Sequence, residues 1–104
     1  VRLVGSEMCI RDRYSVMWRV MEEGGASRSG VGRLGHGLGS QLTEWPSHTA
    51  TDNTTLESGM VITLEPGMLY APGKEMVHEE NIVITEDGAE LLSRRAEEHI
   101  VIIK

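Results

Sequence analysis

The chain has 104 residues, a length that corresponds to at most one domain. Its formal net charge of -6 disfavours nucleic acid or an anionic membrane surface as the main partner. No apolar run is long enough to span a membrane, no segment resembles a signal peptide, and the single cysteine excludes an internal disulfide. These features suit a cytoplasmic protein that binds neither nucleic acid nor membrane.

Residues 3–13 (LVGSEMCIRDR) resemble the translation of a transposase sequencing adapter. Segments of that origin are excluded from reasoning about a fold. We therefore expect residues 1–13 to be an adapter-derived artefact and residues 14–104 to be the authentic part. On this interpretation the natural gene continues upstream of Tyr14.

Residues 14–23 are predicted to form a helix that ends at Gly24-Gly25, because glycine readily takes the left-handed conformation of a helix stop. Four apolar residues at helical spacing would form one face: Tyr14, Met17, Trp18 and Met21. Helical spacing alone explains this stripe, so we interpret it as core packing. Residues 26–32 are small and indicate a loop.

His36 stands among Gly35, Gly37 and Gly39, which leave room for backbone or ligand to approach closely. It is a candidate metal ligand, although a lone histidine is more often structural. Residues 43–55 are rich in Thr, Asp and Asn and predict a surface loop. Within this loop we expect His48 to be solvated. Trp45 and Pro46 either line a substrate pocket or pin the loop to the body of the protein.

Residues 60–64 predict a β-strand, which Glu65 closes immediately before Pro66-Gly67. A carboxylate after such a run is costly to bury unless it is paired or bound to a metal, so Glu65 is a second candidate ligand. The alternative is a glutamate at a strand end that reaches solvent.

Further strands are predicted over residues 68–72, 76–85, 89–92 and 99–103, with turns at Pro72-Gly73 and Asp87-Gly88. Along a strand over residues 76–85, alternation would place Glu79 on one face and His78 on the other. The two side chains could then share a site only if a bulge intervened.

Three segments in this order are similar to those of the pita-bread metallopeptidases: the glycine-flanked histidine (GHGLG), GMVITLEPG and HEENIVITEDGAELL. That family includes Xaa-Pro aminopeptidases, prolidases and methionine aminopeptidases, with creatinase as a relative. The resemblance implies an α+β fold, the C-terminal half of a pita-bread domain, with a mostly antiparallel curved sheet and one N-terminal helix.

The resemblance also implies a dinuclear site. His36 and Glu65 would ligate one ion, and Glu79 would bridge it to a second. A metal-bridging hydroxide would attack the peptide carbonyl, with Glu65 as the proton shuttle and His36 also catalytic. Manganese suits the oxygen-rich ligand set best, and Co, Zn or Fe are alternatives. Thr43, Trp45 and His48 are candidate contacts to a peptide substrate, and the full-length protein would be a homodimer.

Some positions depart from the family pattern. Two aspartate ligands are expected upstream of the histidine, in sequence that this chain lacks. Thr43 replaces a second catalytic histidine of many relatives, and Val77 replaces an arginine of many proline-specific members. We therefore expect this chain to be inactive alone and to expose an apolar face and a free strand edge. A creatinase-like C–N hydrolase and a non-enzymatic peptide- or partner-binding module are the alternative functions.

Overall fold

The computed structural model describes residues 9–27 and 32–104. Within these ranges the chain forms one helix, α1, and seven strands, β1–β7. Their bounds are α1 Ile10–Glu23, β1 His36–Gly37, β2 Glu44–Ser47, β3 Val61–Leu64, β4 Gly67–Ala71, β5 Lys74–Val77, β6 Glu80–Ile84 and β7 Ala89–Leu91. Most of the adapter-like segment and part of the predicted loop over residues 26–32 lie outside the described residues.

Helix α1 begins four residues before the predicted start, at Ile10. The N–H groups of Ile10 and Arg11 donate to the carbonyl oxygens of Thr54 and Asp52, both at 2.9 Å. These bonds satisfy donors that the first turn of a helix leaves without intrahelical partners. The Ile10 side chain is also completely buried. Partners from a loop distant in sequence therefore set this boundary, and the adapter origin of residues 1–13 stays a prediction.

The C-terminus of α1 confirms the predicted stop. The N–H of Gly24 donates to the carbonyls of Val20 and Met21, and Gly25 adopts φ +95°. Trp18 is completely buried, as expected for the apolar stripe. Among the described residues, no helix is both long and apolar enough to cross a membrane.

A five-stranded antiparallel sheet with the order β2-β1-β3-β6-β7 carries the fold, and β4 and β5 form a separate two-stranded sheet. One face of the larger sheet contributes to the main apolar core. The core contains Ile10, Leu56, Ile62, Ile82 and Ile84, with Met60 and Leu64 packed against it. Because side chains alternate along a strand, Val61 and Thr63 of β3 and Val83 of β6 face the opposite side of the sheet.

The prediction of one continuous strand over residues 76–85 is wrong. The structure has two strands there, β5 and β6, separated by His78 and Glu79. The β3–β6 ladder ends where Leu64 pairs with Glu80, and the β4–β5 ladder begins three positions further along each strand. Both ladders therefore share one register as far as the Leu69–Glu75 pair, and the register shifts before Ala71 pairs with Lys74. The N–H of His78 donates to the carbonyl of Pro66 at 3.0 Å. Pro66 has no N–H to return that bond, which explains the interruption.

Two further expectations about secondary structure are wrong. The predicted loop over residues 43–55 contains β2, which accommodates Pro46 because β2 is an edge strand of the sheet. Residues 99–103 form no strand and are exposed. The turn at Pro72-Gly73 and the hairpin at Asp87-Gly88 are confirmed by the β4–β5 and β6–β7 pairings.

Candidate metal centre

His36 is the most buried of the three predicted ligands, with 6% of its surface exposed. Its Nδ1 lies 2.7 Å from the carbonyl oxygen of Gly37. A carbonyl oxygen can only accept a hydrogen bond, so Nδ1 carries the proton. In the neutral ring Nε2 therefore presents its lone pair. Metal-binding histidines use this arrangement, in which the second ring nitrogen donates to a carbonyl and fixes the ring.

The Nε2 atom of His36 lies 2.8 Å from Oε1 of Glu65, whose side chain is 24% exposed. Both atoms are hydrogen-bond acceptors when the imidazole is neutral and the carboxylate is ionised. Their contact therefore requires a proton or another cation. In octahedral coordination, donor atoms about 2.1 Å from one ion and at right angles lie about 3 Å apart, so the observed spacing also suits two ligands of a divalent ion.

The glycines beside His36 are required by close packing. Gly35 has φ +146°, and a Cβ there would collide with the carbonyl oxygen of Thr63. A Cβ on Gly37 would collide with the carbonyl oxygen of Trp45. The chain around His36 therefore passes directly between β2 and β3. The prediction that the glycines permit close backbone approach is confirmed.

Glu79 lies between β5 and β6 and is exposed. The register that β3–β6 shares with β4–β5 places it opposite Glu65. Among residues 9–27 and 32–104, however, no group of three or more His, Cys, Asp or Glu side chains is arranged to hold a metal ion. The structure thus joins His36 to Glu65 and leaves Glu79 outside that contact. The pair fits a cation as a partial ligand set.

His48 contradicts its predicted environment, because its side chain is completely buried rather than solvated. Neither ring nitrogen has a partner within ordinary hydrogen-bond geometry, although the backbone of Leu34 lies close enough to act on the ring. Burial lowers the pKa of His48, while the backbone of Leu34 and the Asp52 carboxylate act in the opposite direction. His48 lines an apolar cavity of about 190 Å³ beneath α1. His48 therefore offers no accessible surface to a substrate in this structure, and its role as a substrate contact stays a prediction.

The other two candidate substrate contacts are accessible. Thr43 is exposed, and Trp45 is 67% exposed. Trp45 lines a cleft of about 380 Å³ together with Pro46, Leu38 and Val61. Trp45 and Pro46 can therefore line a substrate pocket or hold this segment against the body of the protein, since Pro46 is also buried.

Thr63 is the site residue that the sequence reasoning missed. Its hydroxyl lies 2.7 Å from Glu65 Oε1 and 3.0 Å from the backbone nitrogen of His36. The signal was present in the sequence, because residues two apart on a strand share a face. Thr63 precedes Glu65 by two positions and carries the only hydroxyl on the predicted strand over residues 60–64.

An antiparallel sheet that holds an imidazole against a carboxylate is suited to a metal-dependent hydrolase. The sequence pattern of metallopeptidase family M24 matches residues 1–87, and the chain belongs to this family. The Xaa-Pro dipeptidase of Pyrococcus furiosus is 37% identical over 92 residues, which cover 88% of this chain and 26% of that relative. The family predicted from the sequence is therefore confirmed.

Solved structures confirm the predicted α+β pita-bread fold. The prolidase from Pyrococcus horikoshii matches with a TM-score of 0.79 and 33% identity, over 88% of this chain and 26% of that one. The Xaa-Pro dipeptidase from Bacillus anthracis matches with a TM-score of 0.83 and 28% identity, over 98% of this chain and 29% of that one. The chain thus spans between a quarter and a third of these relatives.

Proposed function

We propose that this chain forms part of a dinuclear metal-dependent exopeptidase that hydrolyses N-terminal Xaa-Pro-type peptide bonds. The observation that carries the proposal is the 2.8 Å contact between His36 Nε2 and Glu65 Oε1, with Nδ1 already committed to Gly37. Membership of a metallopeptidase family and similarity to Xaa-Pro dipeptidases support the reaction class.

In this proposal His36 contributes the Nε2 lone pair and Glu65 contributes a carboxylate oxygen to one ion. Glu79, opposite Glu65 in the hairpin, contributes the carboxylate shared with a second ion. Two divalent ions, with Mn²⁺ favoured by the oxygen-rich set, would lower the pKa of the attacking water and stabilise the oxyanion. Glu65 would accept a proton at its carboxylate and deliver it to the leaving amine.

The remaining features of the proposal concern the whole protein. We expect two aspartate ligands from sequence upstream of residue 14, a homodimeric assembly and a cytoplasmic location. The chain alone would lack two carboxylates of the expected set, and metal affinity depends on ligand count. Residues 14–104 alone should therefore release no N-terminal residue from Xaa-Pro peptides.

A chimera tests the proposed function. The aligned segment of the Pyrococcus furiosus Xaa-Pro dipeptidase is replaced by this chain, so that the relative supplies the rest of the protein. We expect Mn²⁺-dependent hydrolysis of an Xaa-Pro dipeptide. His36→Ala in the chimera should abolish it, whereas Glu86→Gln, a change of an exposed turn residue, should not. A folded chimera that binds no Mn²⁺ would contradict the proposal.

A further inference from the structure

The hydroxyl of Thr63 joins two parts of the candidate site that are distant in sequence. Thr63 is 1% exposed, and its Oγ1 lies between the backbone N–H of His36 and the carboxylate of Glu65. The N–H can only donate, and the ionised carboxylate can only accept. The directions of both hydrogen bonds are therefore fixed, and the single hydroxyl proton is committed to Glu65.

The position of this hydroxyl is restricted in three ways. Thr63 is β-branched, which limits its side-chain rotamers, and burial removes the alternative of bonding to water. The N–H of Glu65 also donates to the carbonyl of Leu34 at 2.8 Å, so hydrogen bonds fix the backbone of both His36 and Glu65. The carboxylate of Glu65 is the remaining mobile group, and Thr63 contacts the same Oε1 atom that meets His36.

We infer that Thr63 is a positioning residue, which holds Oε1 of Glu65 against Nε2 of His36 and so preorganises the pair for a divalent ion. The inference rests on the proposed function for the identity of the cation, but the positioning itself does not require a metal. A bond to the carboxylate limits its rotation and reduces the loss of side-chain freedom when an ion binds. Thr63 thereby acts through Glu65, the group to which its hydroxyl donates.

Replacing the hydroxyl tests the positioning directly in the full chain without metal. Thr63→Val preserves the branched shape and removes the donor, whereas Thr63→Ser keeps the donor. Ile62→Val, on the opposite face of β3, is the control for a general loss of packing. We expect the distance between His36 Nε2 and Glu65 Oε1, measured by crystallography or NMR, to exceed hydrogen-bond range only in Thr63→Val. An unchanged distance of 2.8 Å in that variant overturns the inference.

If Thr63→Val does not fold, Thr63→Ala and Thr63→Ser provide the same comparison, because they differ only in the hydroxyl. The pair should separate in Thr63→Ala and persist in Thr63→Ser. Equal separation in both would show that packing of the γ-methyl, rather than the hydroxyl, positions the carboxylate. That outcome also overturns the inference.

Titration of the chimera with Mn²⁺ alone, followed by electron paramagnetic resonance, measures the consequence for metal binding. Loss of a residue that orients a ligand typically weakens metal affinity about 10- to 100-fold, and we expect this loss in Thr63→Val but not in Ile62→Val. Equal affinities in those two variants would count against the inference. Failure of the folded chimera with unchanged Thr63 to bind Mn²⁺, with the pair still separating in Thr63→Val, would instead contradict the proposed function alone.

Discussion

Glu79 lies directly opposite Glu65 across the hairpin in which β3 and β4 pair with β6 and β5. Ladder bonds flank this pair at Leu64–Glu80 and at the bond from His78 to Pro66, so Glu65 and Glu79 occupy a non-hydrogen-bonded position, where side chains approach most closely. Like charges directly opposite each other destabilise a sheet. A divalent cation between them would remove that repulsion.

Neutralising Glu79 should therefore raise the thermal stability of the metal-free chain and weaken the binding of Mn²⁺. Without metal, Glu79→Gln removes the repulsion with Glu65, and we expect a small rise in Tm by thermal denaturation. In the chimera, the same change should weaken Mn²⁺ binding more than any other ligand substitution, because Glu79 would serve two ions. Glu86→Gln, which removes an equal charge from an exposed turn, should produce neither effect. A lower Tm in metal-free Glu79→Gln would argue against the repulsion.

Glu65→Gln in the chimera should reduce kcat more than it raises KM for an Xaa-Pro dipeptide. A glutamine keeps an oxygen that can accept from Thr63 but has no carboxylate to take up a proton. Steady-state kinetics at saturating Mn²⁺ measure the two constants separately. Equal effects on kcat and KM would indicate that Glu65 is only a ligand.

The burial of His48 predicts a loss of stability in mild acid. Burial lowers the pKa of His48 in the folded chain, while in the unfolded chain it stays near its ordinary value of about 6.5. The unfolded state therefore binds more protons as the pH falls below about 6.5, and stability should decrease until the pH reaches the folded-state pKa. Thermal denaturation between pH 8 and pH 5 measures this decrease.

His48→Leu should flatten that pH dependence. The substitution also removes two buried nitrogens without partners, each of which costs about 1–3 kcal/mol when unsatisfied, so the variant should be more stable at pH 5. His99→Leu, at an exposed position, provides the control. Asp52 should not contribute to the change in stability between pH 8 and pH 5. Burial raises the pKa of its carboxyl, but hydrogen bonds from Thr54 and Ser47 together outweigh burial and lower that pKa. An identical pH profile for His48→Leu and the unmodified chain would contradict this account.

The C-terminal segment should promote self-association without stabilising the fold. Ile100, Val101, Ile102 and Ile103 are between 66% and 92% exposed, and exposed apolar patches favour association. Deleting residues 99–104 should leave the free energy of unfolding unchanged within about 0.5 kcal/mol, the usual range for surface changes. Sedimentation of the deleted and intact chains at equal concentration should show less association after deletion. A clear fall in stability would indicate that the segment packs on the body.

Much of the candidate site could be predicted from the sequence, because its information is local. The glycines that flank His36 and the strand that ends at Glu65 mark both members of the pair. Thr63 could also have been found from the two-residue period of that strand. Residue types and their spacing carry this information without any knowledge of which strands are neighbours.

Three wrong expectations depend on contacts distant in sequence, those about His48, the strand over residues 76–85 and the start of α1. His48 lies in a polar segment, yet packing beneath α1 buries it. The division between β5 and β6 follows from Pro66 on the partner strand, and the start of α1 follows from carbonyl groups of Asp52 and Thr54. A pattern read along one segment contains no information about the hydrogen-bonding capacity of its partner.

The shared register of the two ladders limits which changes in length the hairpin can accept. Inserting one residue between Gly73 and Glu79 would shift the returning strand by one position and turn every side chain beyond it to the other side of the sheet. Glu79 would then point away from Glu65. A change of one residue would keep Glu79 opposite Glu65 only where a bulge absorbs it, as the register shift between Leu69 and Ala71 does near the tip at Pro72-Gly73.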